Sequence, residues 1–407
     1  MSATAVSRAE LAQRARAFPT ASFRTLGLGL TGLGLLVVIF GLMGGHPARI
    51  WQSWHFNLLF WAGLAQGSVV LAATQKVAKG HWSGVVIRLA EAAAPFTALV
   101  VLLFALELFG RPFIYSWLHE PRPDVGWWLT TKWFFVRNTA VLALLAWLTW
   151  RFVRADVAPD ARELAGGGGG GRAEPVSEPE QTAISRDAAI LIVAFALGYT
   201  VLGYDLVMSL AHKWVSNLYG AFYFMGSFLA GLMATAVFGI AMRRRMGLGA
   251  LYSDRQQHDL GKLCFAFTVF WAYLMWAQFL VIWYGNLPEE TFFVFYRLWG
   301  PWRPIGTAVF FLVFVIPFIG LLGVKPKKYA PTMVGFALVS LVGIWLERYL
   351  EVVPSINNGA GPAIGLPELG VTALFGGLYL LSIAWFAARR PMLSPRLAAD
   401  TLEREQH

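Results

Sequence analysis

One cysteine, Cys264, stands alone in 407 residues. An intrachain disulfide is therefore excluded, and so is an iron–sulfur cluster, which needs several thiolates. Histidine is scarce as well. Only His55 and His212 lie in or beside the outer ends of apolar segments, and no inner pair faces them, so a bis-histidine haem site is not expected. No HxxxH and no acidic-histidine cluster points to a metal. There is no P-loop and no glycine-rich dinucleotide fingerprint; the run Gly166 to Gly171 lacks the Lys-Ser/Thr that would follow. Charge is the scarcest commodity. Charged residues make up 14% of the chain, against about 25% in a soluble domain.

What is present is apolar. Hydrophobic residues reach 57% and the mean hydropathy is +0.56. Ten apolar segments cover 25–45, 51–74, 84–110, 130–153, 188–211, 215–242, 260–285, 304–324, 329–350 and 369–388. Each is long enough to cross ~30 Å of hydrocarbon as a helix, which takes about 20 residues. Ten buried helices of a soluble protein would need polar faces to cover them, and none exist. A β-barrel would show short alternating stretches, which are absent. The fold class expected is all-α: a polytopic membrane protein of ten transmembrane helices, arranged as two four-helix bundles plus two extra helices.

The net charge of +10 is unevenly placed. Loops 1–24, 75–83, 154–186, 243–262, 325–328 and 389–407 hold 22 Lys and Arg, while the alternate set 46–50, 111–129, 212–214, 286–303 and 352–368 holds 6. This is the positive-inside pattern, and it predicts both termini on the cytoplasmic side of the membrane. Trp117, Trp127, Trp128, Trp299 and Trp302 fall in the outer loops, as an interfacial aromatic belt requires. The predicted organisation is an N-terminal arm 1–24, helices 1–4 within 25–153, a glycine-rich cytoplasmic linker 154–187, helices 5–10 within 188–388 and a cytoplasmic tail 389–407. The arm lacks an apolar core and is not read as a cleavable signal peptide.

Ionisable residues inside a bilayer are costly and are the candidates for function. Arg88 and Glu91, at i and i+3 near the inner end of the third span, are expected to pair; Glu107 lies near its outer end. Asp205 lies in the fifth span with His212 seven residues on, so both share a face if the helix continues. Tyr199 and Tyr204 flank Asp205 as hydroxyl carriers, and the set Arg88, Glu91, Glu107, Asp205, His212, Tyr199 and Tyr204 is a candidate proton path. An Asp and a His at this depth suit proton exchange with a quinol or a water chain. The bland alternatives are an ion pair, an interfacial carboxylate and a helix-end cap. His55, Lys132, Arg137, Glu347, Arg348 and Glu351 form a candidate outer-face polar cluster, equally readable as a docking surface. No residue set is assigned a catalytic, cofactor-binding or metal-ligating role.

Two stretches carry more specific information. One is Gly203-Tyr204-Asp205-Leu206-Val207-Met208-Ser209-Leu210, continuing through His212, Trp214, Ser216, Tyr219-Gly220 and Phe222-Tyr223-Phe224. The other is Phe270-Trp271-Ala272-Tyr273-Leu274-Met275-Trp276-Ala277-Gln278-Phe279 with Ile282-Trp283-Tyr284-Gly285-Asn286-Leu287-Pro288-Glu289-Glu290-Thr291. Together they resemble the F subunit of bacterial alternative complex III, a quinol:cytochrome c oxidoreductase, within the polysulfide-reductase-type (NrfD-like) membrane family. The chain departs from that pattern after Met208-Ser209-Leu210, where Ala211-His212-Lys213-Trp214 replaces an acidic-Pro-His-Trp run. The resemblance implies a subunit without cofactors of its own, contributing a proton-conducting route and a scaffold beside a paralogous ten-helix subunit that oxidises quinol. It implies a multihaem cytochrome c partner, an iron–sulfur partner, small membrane anchors and membrane lipids; no nucleic acid is implied. The haem c and iron–sulfur clusters would reside in those partners. Competing expectations are a subunit that itself binds quinol, a plain structural anchor and a secondary transporter. Central thirds nearly free of charge weigh against the transporter.

Overall fold

A computed structural model describes residues 13–14, 17–80, 82–120, 123–165, 176–211, 214–249, 251–357 and 361–398. Among them there is helix and no strand. In chain order the main helices are α1 (Thr20–Met43), α2 (Pro47–Val77), α3 (Gly84–Ile114), α4 (Thr131–Ala165), α5 (Glu178–Leu206) and α6 (Tyr219–Arg245). They are followed by α7 (Asp254–Gly285), α8 (Pro288–Leu298), α9 (Arg303–Leu322), α10 (Ala330–Ile356) and α11 (Leu366–Arg389). Nine of these, all but α4 and the short α8, are long and apolar enough among the described residues to cross a membrane. The protein is a polytopic, all-helical membrane protein. The segment expected as the fourth span is a continuous helix, α4. Its apolar run is diluted by Trp133, Arg137, Asn138, Trp147 and Trp150.

Local chemistry places the breaks. Pro95 has no N–H for the Glu91 carbonyl and its ring crowds that carbonyl, so the first segment of α3 stops at Glu91 and the second starts at Ala94. Pro317 does the same to Val313, and α9 passes through a π-helical turn at Phe310–Val315. At the start of α7 the Gln256 side chain accepts the backbone N–H of Ser253 at 2.9 Å. Its end is capped by Asn286 in the left-handed region, φ 44°. The fifth helix ends at Leu206 and a tight turn follows at Met208–Leu210. The helical face expected to join Asp205 to residue 212 is therefore not continuous, and His212 itself lies outside the described residues.

Packing arranges the helices around α2. In its most apolar stretch 94% of residues are buried, against 17% in α1. It touches α3, α5, α6, α10 and α11. Helices α2, α3, α4 and α5 close one ring of neighbours; α6, α7, α9 and α10 close another; α1 lies along α11. The α2–α6 crossing is set by Gly67 and Gly231, where a Cβ on either would run into backbone of the other helix. The expected linker 154–187 is largely helical at both ends, because α4 runs to Ala165 and α5 begins at Glu178; residues 166–175 lie outside the description.

Candidate functional site

Helix α3 carries buried charge at both ends. At its beginning Arg88 is fully buried and gathers three carboxylates. Its Nη1 donates to Glu91 Oε2 at 2.6 Å, and its Nη2 reaches Asp160 Oδ2 at 2.5 Å and Asp156 Oδ2 at 3.5 Å. Lys76 of α2 meets Asp156 at 2.7 Å, and Arg396 meets Asp160 at 2.6 Å, where Ser394 also donates at 2.9 Å. Three cations thus balance three carboxylates, which removes most of the cost of burying them. Glu91 Oε1 and Arg88 Nε make no hydrogen bond of ordinary geometry among the described residues, and the Glu91 carboxyl lies beside that of Asp156. Halfway along the helix, Thr97 turns its hydroxyl back onto the Ala94 carbonyl at 2.8 Å.

The far end of α3 is built differently. His55, Glu107 and Tyr115 are all fully buried. His55 Nδ1 lies 3.0 and 3.1 Å from the two oxygens of Glu107, and Tyr115 donates to Glu107 Oε2 at 2.6 Å. His55 Nε2 faces the Leu206 carbonyl at 2.8 Å. A carbonyl only accepts, so Nε2 bears a hydrogen. Nδ1 then faces a carboxylate, and that contact closes only with a proton held between ring and carboxyl. The triad stores one proton in a place that water does not reach.

Asp205 sits nearby but has a different environment. It accepts from Trp128 Nε1 at 2.9 Å, Arg137 Nε at 2.7 Å and Asn138 Nδ2 at 3.0 Å. Arg137 also lies over the Trp128 ring, 3.8 Å from its centroid. Three donors suit an ionised carboxylate that fastens the end of α5 to α4 and the preceding loop.

A third group closes α10. Glu347 accepts from Trp271 of α7 at 2.8 Å. Arg348 donates to Glu351 at 2.6 Å, lies 3.9 Å from Glu347 and sits over the Tyr223 ring at 4.3 Å. Glu347 Oε2 makes no hydrogen bond of ordinary geometry among the described residues, and the Tyr219 hydroxyl lies beside the Glu351 carboxyl. Tyr223 stacks on Tyr199 at 5.8 Å, and the Arg348 guanidinium over its ring ties it to this group. Beyond Glu351, Arg297 binds the carbonyls of Leu350 at 3.0 Å and Glu351 at 3.1 Å, and the Ser355 hydroxyl at 2.7 Å. Arg297 also lines a cavity of about 640 Å³ with Ser116, His119, Trp214, Phe293 and Ser355.

The residues expected from sequence distribute as follows. Arg88 and Glu91 pair. The six-residue polar cluster falls into three places: His55 with Glu107, Arg137 with Asp205, and Glu347, Arg348 and Glu351 together; Lys132 is exposed and joins none of them. Tyr199 is inside, donating to the Ala62 carbonyl at 2.8 Å, whereas Tyr204 bonds the Asn217 carbonyl at 2.7 Å at the surface. Sequence reasoning missed Lys76, Asp156, Asp160, Ser394 and Arg396, and also Tyr115, Tyr223, Trp271 and Arg297. Asp156 and Asp160 had a signal, since an i, i+4 spacing puts both on one face of a helix that outlasts its apolar run. Cys264 is buried in α7, and among the described residues no grouping of three or more His, Cys, Asp or Glu could hold a metal ion. No protein-family model matches the chain, and no curated protein matches it significantly.

Proposed function

We propose that the chain is an integral subunit of a respiratory quinol:cytochrome c oxidoreductase of the alternative complex III type. In this reading it supplies a proton-conducting route and a scaffold beside a paralogous quinol-oxidising subunit. The full reading has ten spans, with α4 as the fourth, both termini in the cytoplasm, and a bacterial inner membrane around them. The Arg88 group then lies toward the cytoplasm and the His55–Glu107–Tyr115 triad toward the periplasm. Quinol is the substrate of the complex, and haem c and iron–sulfur clusters belong to the partner subunits.

The observation that carries this reading is the fully buried contact of His55 Nδ1 with Glu107 at 3.0 Å, which requires a proton between the two groups. Tyr115 donates to the same carboxyl group at 2.6 Å, so imidazole, carboxyl and phenol form one hydrogen-bonded chain of exchangeable protons, the arrangement a relay uses. In this reading Tyr223, stacked on Tyr199 and lying under Arg348, is the aromatic junction that carries the route on to Glu347 and Glu351, and Arg297 joins that group to the cavity. Glu91, paired with Arg88 and beside Asp156, is the corresponding carboxyl group at the other end of α3. The two ends make two half-channels, and the resemblance of the Gly203–Phe224 and Phe270–Thr291 stretches supplies the enzyme class.

The test is the assembled complex in proteoliposomes, with proton translocation and quinol:cytochrome c turnover measured together. Glu107→Gln and Glu91→Gln are expected to leave haem reduction largely intact and to lower protons moved per electron. Wild-type proton stoichiometry in both variants would leave the chain a structural anchor.

A further inference from the structure

A groove of about 450 Å³ runs between α3, α4 and α11, at the same end of the bundle as the Arg88 group. Its floor is made of small and apolar side chains, among them Ala98 of α3, Ala146 of α4 and Leu378 of α11. Trp150 and Trp385 stand at its flanks, both half exposed. Arg154 and Arg390 lie at one end. At 1.5 Å rise per residue, Arg154 is about 12 Å beyond Ala146 and Arg390 about 18 Å beyond Leu378.

The arginines are available to a ligand. Arg154 lies over the Trp150 ring at 4.9 Å, and neither arginine pairs with a carboxylate among the described residues. The nearest acids on α4, Asp156 and Asp160, are already matched by Lys76, Arg88 and Arg396. The mouth of the groove therefore carries two uncompensated positive charges beside an apolar trough. A free phosphate would satisfy the charges and leave the trough empty. An uncharged alkyl chain or an apolar partner helix would fill the trough and leave the two guanidinium groups at the membrane surface without an anion. A molecule joining an anion to a long apolar chain satisfies both.

We propose that this groove holds one anionic glycerophospholipid of the surrounding membrane, with its phosphate between Arg154 and Arg390 and an acyl chain on the Ala98–Ala146–Leu378 floor. The site does not depend on the proton reading, since it shares no residue with the Arg88, His55 or Arg348 groups.

The test uses the full chain, purified and delipidated in detergent, and native mass spectrometry to follow the first lipid retained. Phosphatidylglycerol and phosphatidylcholine of matched acyl chains are the probes. Two basic residues at a membrane surface give about a 30-fold preference for the anionic lipid. Arg154→Gln with Arg390→Gln is expected to abolish that preference while leaving the thermal transition unchanged. Ala98→Phe, which fills the floor, is expected to weaken both lipids. Arg244→Gln with Arg245→Gln removes the same net charge from exposed positions outside the groove and is expected to keep the preference. Millimolar inorganic phosphate is expected not to compete. A preference that survives the Arg154/Arg390 pair, that vanishes equally with the Arg244/Arg245 pair, or that free phosphate displaces overturns the proposal.

Discussion

His55 of α2 and Glu107 of α3 face one another at 3.0 Å, both fully buried, on neighbouring helices 52 positions apart in the chain. Neither is meaningful alone. A lone histidine one turn into an apolar segment is an ordinary core residue, and a lone carboxylate near a helix end reaches for the interface. Together they share one proton at a site where neither side chain could be charged alone.

This pairing predicts strong coupling. In a double-mutant cycle with His55→Ala and Glu107→Gln, the two changes are expected to be non-additive by about 1–3 kcal/mol, the range for residues sharing one hydrogen-bond network. Unfolding of the purified chain in detergent measures it. Additive effects would show that the two side chains are neighbours without a shared proton.

Arg88 should be the least replaceable residue at the other end of α3. Its removal leaves Glu91, Asp156 and Asp160 facing one another with only Lys76 and Arg396 to answer them. Breaking a buried pair by deleting one partner costs about 3–5 kcal/mol. Arg88→Met is expected to lower the yield of folded protein sharply, and Arg88→Met with Asp160→Asn to recover part of it. The fraction running monodisperse in detergent reports the outcome; no recovery in the pair would mean that Arg88 matters for packing alone.

The same group predicts an acid limit. Burial pushes the Asp156 carboxyl up, but Lys76 at 2.7 Å and Arg88 at 3.5 Å outweigh it and hold it below the usual carboxylate range. The unfolded chain, with Asp near 3.9, then binds more protons than the folded one in acid. The stabilisation is present above about pH 4 and is lost as pH falls below it toward the native value. Unfolding followed from pH 7 to pH 3 is expected to show this limb in the wild type and a shallower one in Asp156→Asn. Equal slopes would remove Asp156 from the account.

Asp205 provides the contrast to Glu107. Asp205→Asn weakens three charge-assisted contacts, to Arg137, Trp128 and Asn138, at about 1.5–3 kcal/mol for a hydrogen bond to a charged group. It is expected to destabilise the α4–α5 junction while leaving proton stoichiometry in proteoliposomes near wild type. A stoichiometry lower than that of Glu107→Gln would move the relay to Asp205.

Much of the helical frame was legible because a span must be apolar for about 20 residues, and that property is local. The α4 segment was harder. Its tryptophans, with Arg137 and Asn138, make it less apolar than the other nine, and its last turns carry Asp156 and Asp160 into a cluster that reads as linker in one dimension. The Arg88–Glu91 pair was legible because both residues lie on one helix three positions apart. The His55–Glu107–Tyr115 triad was not, since it joins α2 to the end of α3 through packing, and nothing within either segment signals the other. Tyr223 was visible as part of a resembling stretch but not as a junction, because its role depends on α10 arriving at the same place.

The enclosure of α2 also bears on how the protein is made. Its closest crossing partner, α6, lies about 163 residues downstream, at Ser68 against Gly231. At 5–20 residues per second a ribosome needs roughly 10–30 s to supply it. For that interval, and until α10 and α11 follow, α2 carries Gln52 and Asn57 without Asn357, Trp345 and Thr372, the side chains that later bond them. Lipid is a poor waiting room for those side chains. The helix in the middle of the finished molecule is therefore the one that most needs shelter during insertion, and its safe passage depends on the biogenesis machinery holding it until the second ring of helices has been delivered.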